Sequence, residues 1–384
     1  MITLSRKEDC CGCGACMAVC HYAAISFTAD NEGFSYPIVN EQNCVNCGLC
    51  EDVCPLFITT HKNDNFTMES RFYAIWHKDK QILKNSSSGG AFWALAQWVI
   101  AQGGVVVGAA YSEHMQVNHE VASSLSEARR FRGSKYVQSN TEGIYLDVKN
   151  NLSTGKIVLF TGTPCQVKAL KLFLRKPYVN LITVDLVCHG VASPKLFADY
   201  VSKVNRLYHN RLSSINMRDK SLIGWGHVFS YRNGKNVVDA VRISNWGRLY
   251  FSELINRPAC HKCIFTTLKR SGDITLGDYW DDRRLRPDLY SRDGISLFMI
   301  NTKKGIEVFE AIQHDVFFSE ITSEEAMQSQ LKHSTKANME RSTFWKLYQE
   351  NGFEAVYARY FKESFYRRLG RKLKRLYTGY KHKN

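Results

Sequence analysis

Eight of the thirteen cysteines fall in two short runs of identical spacing. CCGCGACMAVC sets Cys10, Cys13, Cys16 and Cys20 in the pattern C-x2-C-x2-C-x3-C, and CVNCGLCEDVC repeats it 34 residues on with Cys44, Cys47, Cys50 and Cys54. Three thiolates so close together wrap one corner of an iron–sulfur cubane, glycines let the backbone approach it, and the fourth thiolate reaches across to a second cubane. On that rule Cys10, Cys13, Cys16 and Cys54 serve one 4Fe-4S cluster, and Cys44, Cys47, Cys50 and Cys20 serve the other. Pro55 follows the second run, as in bacterial ferredoxins, whereas His21 stands there in the first. A pair of zinc knuckles would need only four ligands each and favours paired C-x2-C units, so the double run speaks against it. Cys11 lies outside the pattern and receives no ligand role.

Cys165, Cys188, Cys260 and Cys263 also carry potential chemistry. Cys165 follows the apolar run KIVLF and Cys188 follows LITVDLV, so both would emerge at carboxyl ends of strands, where open α/β sheets gather ligands. Cys260 and Cys263 form a C-x2-C pair in RPACHKC. The residues alone leave three readings open: a third 4Fe-4S cluster, a structural zinc, or two inert buried cysteines beside an unrelated pair. Two junctions have the form of anion sites. Ser86-Ser87-Ser88-Gly89-Gly90 precedes a helical pattern, so serine would cap the helix while free amides face an anion. Thr161-Gly162-Thr163-Pro164 leads from strand to helix with Pro164 in the first turn. Plain capping competes with both, and neither fits a Rossmann or P-loop fingerprint. In ARRFRGSKYVQS, Arg129, Arg130, Arg132 and Lys135 form a solvated basic face by default, with Lys135 beside Gly133 and Ser134 a candidate for an anionic cofactor. Asp273 and Asp278 flank a strand in SGDITLGDYW, with Trp280 just behind.

The elements that must position these groups alternate. RFYAIW, VVVGAAY, KIVLF, LITVDLV and ISLFMINT read as strands, with helical patterns such as TPCQVKALKLFLR between them. The expected fold is an α/β (α+β) core with a mixed, partly parallel sheet, behind a small ferredoxin-like α+β domain. Ala91 to Tyr111 is almost long enough to span a bilayer, but Gln97, Gln102 and Gly103-Gly104 interrupt it. We read a buried helix from about Ser88 to Ala101, a glycine turn and a strand. With 384 residues, 44% hydrophobic content and seven prolines, the chain is globular rather than disordered. MITLSRKEDCC lacks the apolar core of a secretory signal, so a cytoplasmic location is expected, where clustered thiols bind metal rather than form disulfides.

The order of the pieces resembles the coenzyme F-420 hydrogenase/dehydrogenase beta-subunit family of iron–sulfur flavoproteins. SSSGGAF, GSKYVQS, FTGTPCQVKAL, VDLVCHGVASP, RPACHKC, SGDITLGDYW and DGISLFMINTKKG occur in family order between about Cys10 and Lys304. The resemblance implies bound FAD and a third cluster on Cys165, Cys188, Cys260 and Cys263. It implies flavin contacts in the SSSGG and GSKY segments, taken as Ser88, Gly89, Gly90, Gly133, Ser134 and Lys135, together with Thr163 and Asp278. His189, directly after a cluster cysteine, becomes a candidate proton donor or a hydrogen-bonding neighbour. The activity implied is that of an oxidoreductase exchanging hydride with a substrate at FAD and single electrons with the clusters. Its partner is a redox protein or a small-molecule hydride donor or acceptor. Deazaflavin is a doubtful substrate, because members occur in bacteria without that coenzyme, some beside genes for polysaccharide biosynthesis. The rival is a non-catalytic electron-transfer or scaffold subunit with ferredoxin clusters and a structural zinc.

The net charge of +15 is concentrated at one end: residues 359–384 hold ten Lys or Arg against one acid, Glu363. Phe361, Phe365, Leu369, Leu373 and Leu376 recur among them at near-helical spacing, which suits an anionic membrane surface and a peripheral location, or a terminal helix with a solvated face. No recognition module accompanies this charge, which argues against nucleic acid. The expected divisions are 1–58 ferredoxin-type, 70–345 flavin and 4Fe-4S core, and 346–384 basic tail.

Overall fold

The computed structural model describes residues 1–59, 69–209, 211–234, 236–242, 244–280, 286, 288–289 and 291–361. Residues 1–338 form one compact unit and those from 339 a second. The first begins with an antiparallel hairpin, β1 (Ile25–Ala29) and β2 (Ser35–Val39), between the two cysteine runs. Each run ends in a one-turn helix, Ala15–Ala18 or Leu49–Asp52, entered through a glycine at positive φ (Gly14, 77°; Gly48, 76°). Such a φ would strain any residue with a Cβ, so the repeat in sequence is a repeat in backbone shape.

The core is an eight-stranded mixed sheet. Its strands are β3 (Arg71–His77), β4 (Val105–Tyr111), β5 (Val117–Ala122), β6 (Val158–Gly162), β7 (Leu181–Leu186), β11 (Ile274–Asp278), β12 (Ser296–Ile300) and β13 (Val316–Ile321). The spatial order is β13-β3-β12-β11-β7-β6-β4-β5. The four middle strands β11, β7, β6 and β4 run parallel, whereas both margins are antiparallel. β8 (Ser214–Asn216), β9 (Val228–Asn233) and β10 (Asn236–Arg242) make a separate small antiparallel sheet. The expected mixed, partly parallel architecture is therefore present. Parallel strands demand apolar cover on both faces. The helices Ala91–Ala101 and Lys303–Ile312 supply one side through Leu95, Val99, Val308 and Phe309, and Ile144–Ser153 and Pro164–Leu174 pack with Val158, Phe160 and Leu181 elsewhere.

The run Ala91 to Tyr111 splits as expected into helix, glycine turn and strand, and no helix among the described residues is long and apolar enough to cross a membrane. Its helix starts at Ala91, not Ser88, and its cap is Gly90 in the left-handed conformation with no side-chain bond. The serines are committed elsewhere: Ser86 Oγ donates to Ile82 O (2.8 Å), Ser88 Oγ to Ile295 O (2.6 Å), and Ser87 Oγ accepts from Ser134 N (2.9 Å). A local bond at Ser86 and long-range ties at Ser87 and Ser88 thus replace the cap.

Beneath the sheet's carboxyl edge, Asp185 and Arg270 form a buried ion pair at 2.9 Å. Asp185 also accepts from Thr275 Oγ1 (2.7 Å), Ser271 N (2.9 Å) and Gly272 N (2.8 Å), so both oxygens are satisfied. Asp273, singled out in the sequence, similarly ties Thr183 and Thr302 together.

In the second unit the helix Arg341–Phe361 is broken at Gly352 (φ 74°, ψ −175°). The basic tail from residue 362, with Phe365, Leu369, Leu373 and Leu376, lies outside the described residues.

Removing one partner of a dry ion pair leaves the other charge uncompensated. Asp185→Ala is expected to cost about 3–5 kcal/mol, and Asp185→Asn less, as read by denaturant unfolding under anaerobic conditions.

Candidate redox centres and cavity

The first ferredoxin loop is gripped by the core. Thr141 Oγ1 and Tyr145 OH both donate to Cys13 O at 2.7 Å, and Gln138 Nε2 donates to Cys11 O (3.3 Å) and Gly12 O (3.2 Å). Lys262 pairs with Glu8 at 2.8 Å, and Ser193 Oγ donates to Glu32 O at 2.5 Å.

Three groups of thiols emerge. Cys16 is pushed up to about 12 by burial and then by its neighbours Cys10 and Cys54. Cys11 lowers Cys13, but burial, followed by Cys16 and Cys54, leaves it raised. Cys20, Cys44, Cys47 and Cys50 line one cavity together with Ile25, Val39 and Leu49. Cys47 is exposed and Cys44 half-buried, so this group is the outer one. Cys165 in the first turn of Pro164–Leu174, Cys188 just beyond β7, and Cys260 and Cys263 around the turn Pro258–Lys262 are electrostatic neighbours and form the third. Burial, followed by Cys165 and Cys263, pushes Cys188 up to about 12. Burial and Cys165 push Cys263 up to about 11, and Cys260 is raised by burial and the same companions. Buried thiols that oppose one another's ionisation suit a site where iron supplies the missing positive charge. No three His, Cys, Asp or Glu side chains among the described residues converge closely enough to grip one metal ion.

Cys11 acquires a location that its sequence could not give. Its half-buried side chain has Cys13 and Cys165 as the neighbours that most affect its ionisation, so it stands between the first and third groups.

A cavity of about 450 Å³ opens at the carboxyl ends of β6, β7 and β11. Ser88, Gly90, Gly133, Ser134, Lys135, Thr163 and Asp278 line it, as do Cys188 and His189. Gly89 does not; its amide donates to Ser296 Oγ (2.9 Å), and a Cβ there would stand 2.1 Å from Ile75 O. Thr163 caps its helix with Gln166, whose Oε1 accepts from Thr163 N at 2.9 Å, and Thr163 Oγ1 lies 3.1 Å from Cys165 Sγ. Burial lowers Lys135 to about 7, and its Nζ donates to the carbonyls of Arg130 (2.8 Å) and Arg132 (3.1 Å). Arg132 is not solvated: it stacks on Trp93 at 4.6 Å and donates to Ile82 O at 2.7 Å. Arg130, by contrast, pairs with Glu120. His189 is held at both ring nitrogens, Nε2 by Glu253 (2.5 Å) and Nδ1 by Gln330 (2.9 Å).

Arg218 and His227 line the cavity, and Trp225 and Lys220 touch its lining residues Trp280 and Ser88; none of these four has a motif in the sequence, whereas Trp280 stands in SGDITLGDYW. Arg218 makes a bidentate pair with Asp278 (2.7 and 2.8 Å) and donates to Ser87 O (3.2 Å). Trp280 stacks on Trp225 (5.0 Å) and on His227 (5.3 Å). Lys220, lowered to about 7 by burial, donates to Ser88 O at 2.7 Å. Two buried wall atoms have no partner among the described residues, Arg132 Nε and His119 Nδ1. An unpaired buried donor on a cation and an unpaired acceptor fit a ligand with both anionic and N–H or O–H groups, as FAD has.

Residues 155–325 match the family described as the C terminus of the coenzyme F420 hydrogenase/dehydrogenase beta subunit, and residues 9–58 match the 4Fe-4S dicluster domain. The likeness to that beta-subunit family is carried by residues 155–325. The family is associated with oxidoreductase activity, and the dicluster domain makes the chain an iron–sulfur electron-transfer protein. A chain of the F420-reducing NiFe hydrogenase complex from Methanosarcina barkeri is similar at 21% identity, covering 77% of this chain and 92% of that one, with a TM-score of 0.46. No curated protein matches the sequence. The beta-subunit region contains Cys165, Cys188, Cys260 and Cys263, His189 and Asp278, whereas Ser88 to Lys135 lie ahead of it.

His119 and His227 are each lowered from 6.5 to about 4, chiefly by burial. Unfolded, each binds its proton near 6.5; folded, it resists until about 4, so the unfolded state holds more protons between these values. Melting temperature should fall as pH is lowered through this window, and His227→Gln should show a shallower fall than the parent.

Proposed function

We propose that this chain is an iron–sulfur flavoprotein oxidoreductase, with FAD in the cavity and a third 4Fe-4S cluster on Cys165, Cys188, Cys260 and Cys263. The observation that carries this reading is one wall: Cys188 and His189 line the same cavity as the SSSGG and GSKY segments. When bound there, flavin exchanges two electrons as hydride with a substrate and single electrons with iron–sulfur centres.

The chain's own residues have separable tasks. Arg132, desolvated and lowered to about 10 by burial, would hold the anionic part of the cofactor. Arg218, fixed by Asp278, keeps a second cation at the wall and ties Ser87 to the small sheet's side of the cavity. Trp225, Trp280 and His227 form an aromatic stack along one side of the cavity. His189, clamped between Glu253 and Gln330, keeps an exchangeable proton at Nε2 facing a carboxylate. Glu253 in turn accepts from Asn256 at 2.6 Å and adopts a positive φ of 62°, which fixes its position at some backbone cost.

The exposed second cysteine group supports exchange of electrons with a redox partner protein. The hydride substrate is a small molecule admitted to the cavity, and a sugar or lipid-linked intermediate of polysaccharide assembly is the class that the resemblance favours.

Anaerobic purification tests the reading. Three cubanes require about twelve iron atoms per chain, with one extractable flavin; about eight iron, bound zinc and no flavin would establish the scaffold alternative instead. His189→Asn should alter the pH profile of turnover. An unchanged profile removes His189 from proton handling.

A further inference from the structure

Arg257 is only 1% exposed, yet no carboxylate among the described residues lies within ion-pair reach of it. The other deeply buried arginines behave differently: Arg218 has Asp278 and Arg270 has Asp185. A guanidinium removed from water needs a compensating negative charge nearby. Arg257 instead points into the first cysteine loop. Its Nε donates to Cys10 O (2.7 Å), and its Nη2 donates to Ser35 O (3.0 Å) and lies 3.5 Å from Cys10 Sγ. Nη1 donates to Gln138 Oε1 at 3.0 Å. The faces of Tyr36 (4.3 Å) and Phe34 (5.4 Å) close over it.

The sequence makes room for this contact. A Cβ on Gly12 would stand 2.6 Å from Arg257 Nη1 and 2.4 Å from Gln138 Nε2, so the loop requires glycine there for the guanidinium to approach. Among the described residues, the sulfur that Arg257 touches is that of Cys10. A neutral thiol offers little compensation, whereas a thiolate bound in an iron–sulfur centre offers a full counter-charge.

We propose that Arg257 is the built-in counter-ion of the centre held by Cys10, Cys13, Cys16 and Cys54 and raises its reduction potential. This rests on the ligand assignment above. A buried cation bonded to a cluster sulfur favours the state with one more electron, and the dry surroundings strengthen the effect. Among the described residues the outer group has no equivalent: the α-ammonium of Met1 beside it is already paired with Glu51 at 3.1 Å. Arg257 lies three residues before Cys260, so one loop serves both the third group and the first. The inner ferredoxin centre is thereby made the resting place for an electron entering from the exposed one.

The test is a redox titration of the anaerobically purified holoprotein, followed by electron paramagnetic resonance. Arg257→Gln should lower the potential of one centre alone, by at least about tenfold in its reduced-to-oxidised ratio, which is about 59 mV for one electron. Arg257→Lys keeps the charge without the fork and should fall between the two. Gln138→Glu sets a carboxylate against the guanidinium without removing it, and should reproduce the downward shift even if the Arg257 variants lose iron. Cys10→Ser identifies the centre: the signal it abolishes or alters should be the one that moves. Unchanged potentials in Arg257→Gln or Gln138→Glu with full iron content overturn the proposal, as does a shift confined to the centre altered by Cys165→Ser. If Cys10→Ser leaves every signal intact, the ligand assignment itself has failed and the proposal falls with it.

Discussion

Four consecutive carbonyls, from Cys10 to Cys13, are claimed by donors of the core: Arg257, Gln138, Thr141 and Tyr145. Everything else about the redox arrangement follows from that grip. A ferredoxin-like segment with a hairpin and two one-turn helices has little apolar surface of its own, and small domains of this kind hold together poorly alone. Here the loop is fastened by buried hydrogen bonds whose loss would strand the core side chains unsatisfied. The segment is consequently part of the same compact unit as the sheet rather than a tethered module.

That fastening sets the order of the cysteine groups. The first run faces the core, the second faces outward, and Cys11 fills the gap to Cys165. A sheet with parallel middle strands brings the third group to the same edge, since successive strand ends all arrive there. The cavity then opens where Cys188 leaves β7, so the sulfur-rich side and the cationic side of the molecule share a wall. Topology, rather than any special local sequence, produces the neighbourhood.

Local patterns were readable wherever a short segment carries its own physics. Spacing within each cysteine run, alternation in KIVLF and LITVDLV, and Pro164 in a first turn all reappear in the structure. The serines before Ala91 misled because capping is a local rule, and Ser87 and Ser88 answer instead to Ser134 and Ile295 far along the chain. Arg257 and Arg218 could not be singled out at all. A lone arginine has no period or motif, and its meaning lies in a partner 247 residues away at Cys10 or 60 away at Asp278. RRFR reads as a solvated face, yet Trp93 and Ile82 enclose Arg132.

The openness of Cys47 has a cost as well as a use. Whatever small oxidant meets this protein encounters the second repeat before the first, which lies behind Tyr145 and Thr141. Air damage would therefore begin at the rim and work inward, reaching the second repeat while the first is still whole.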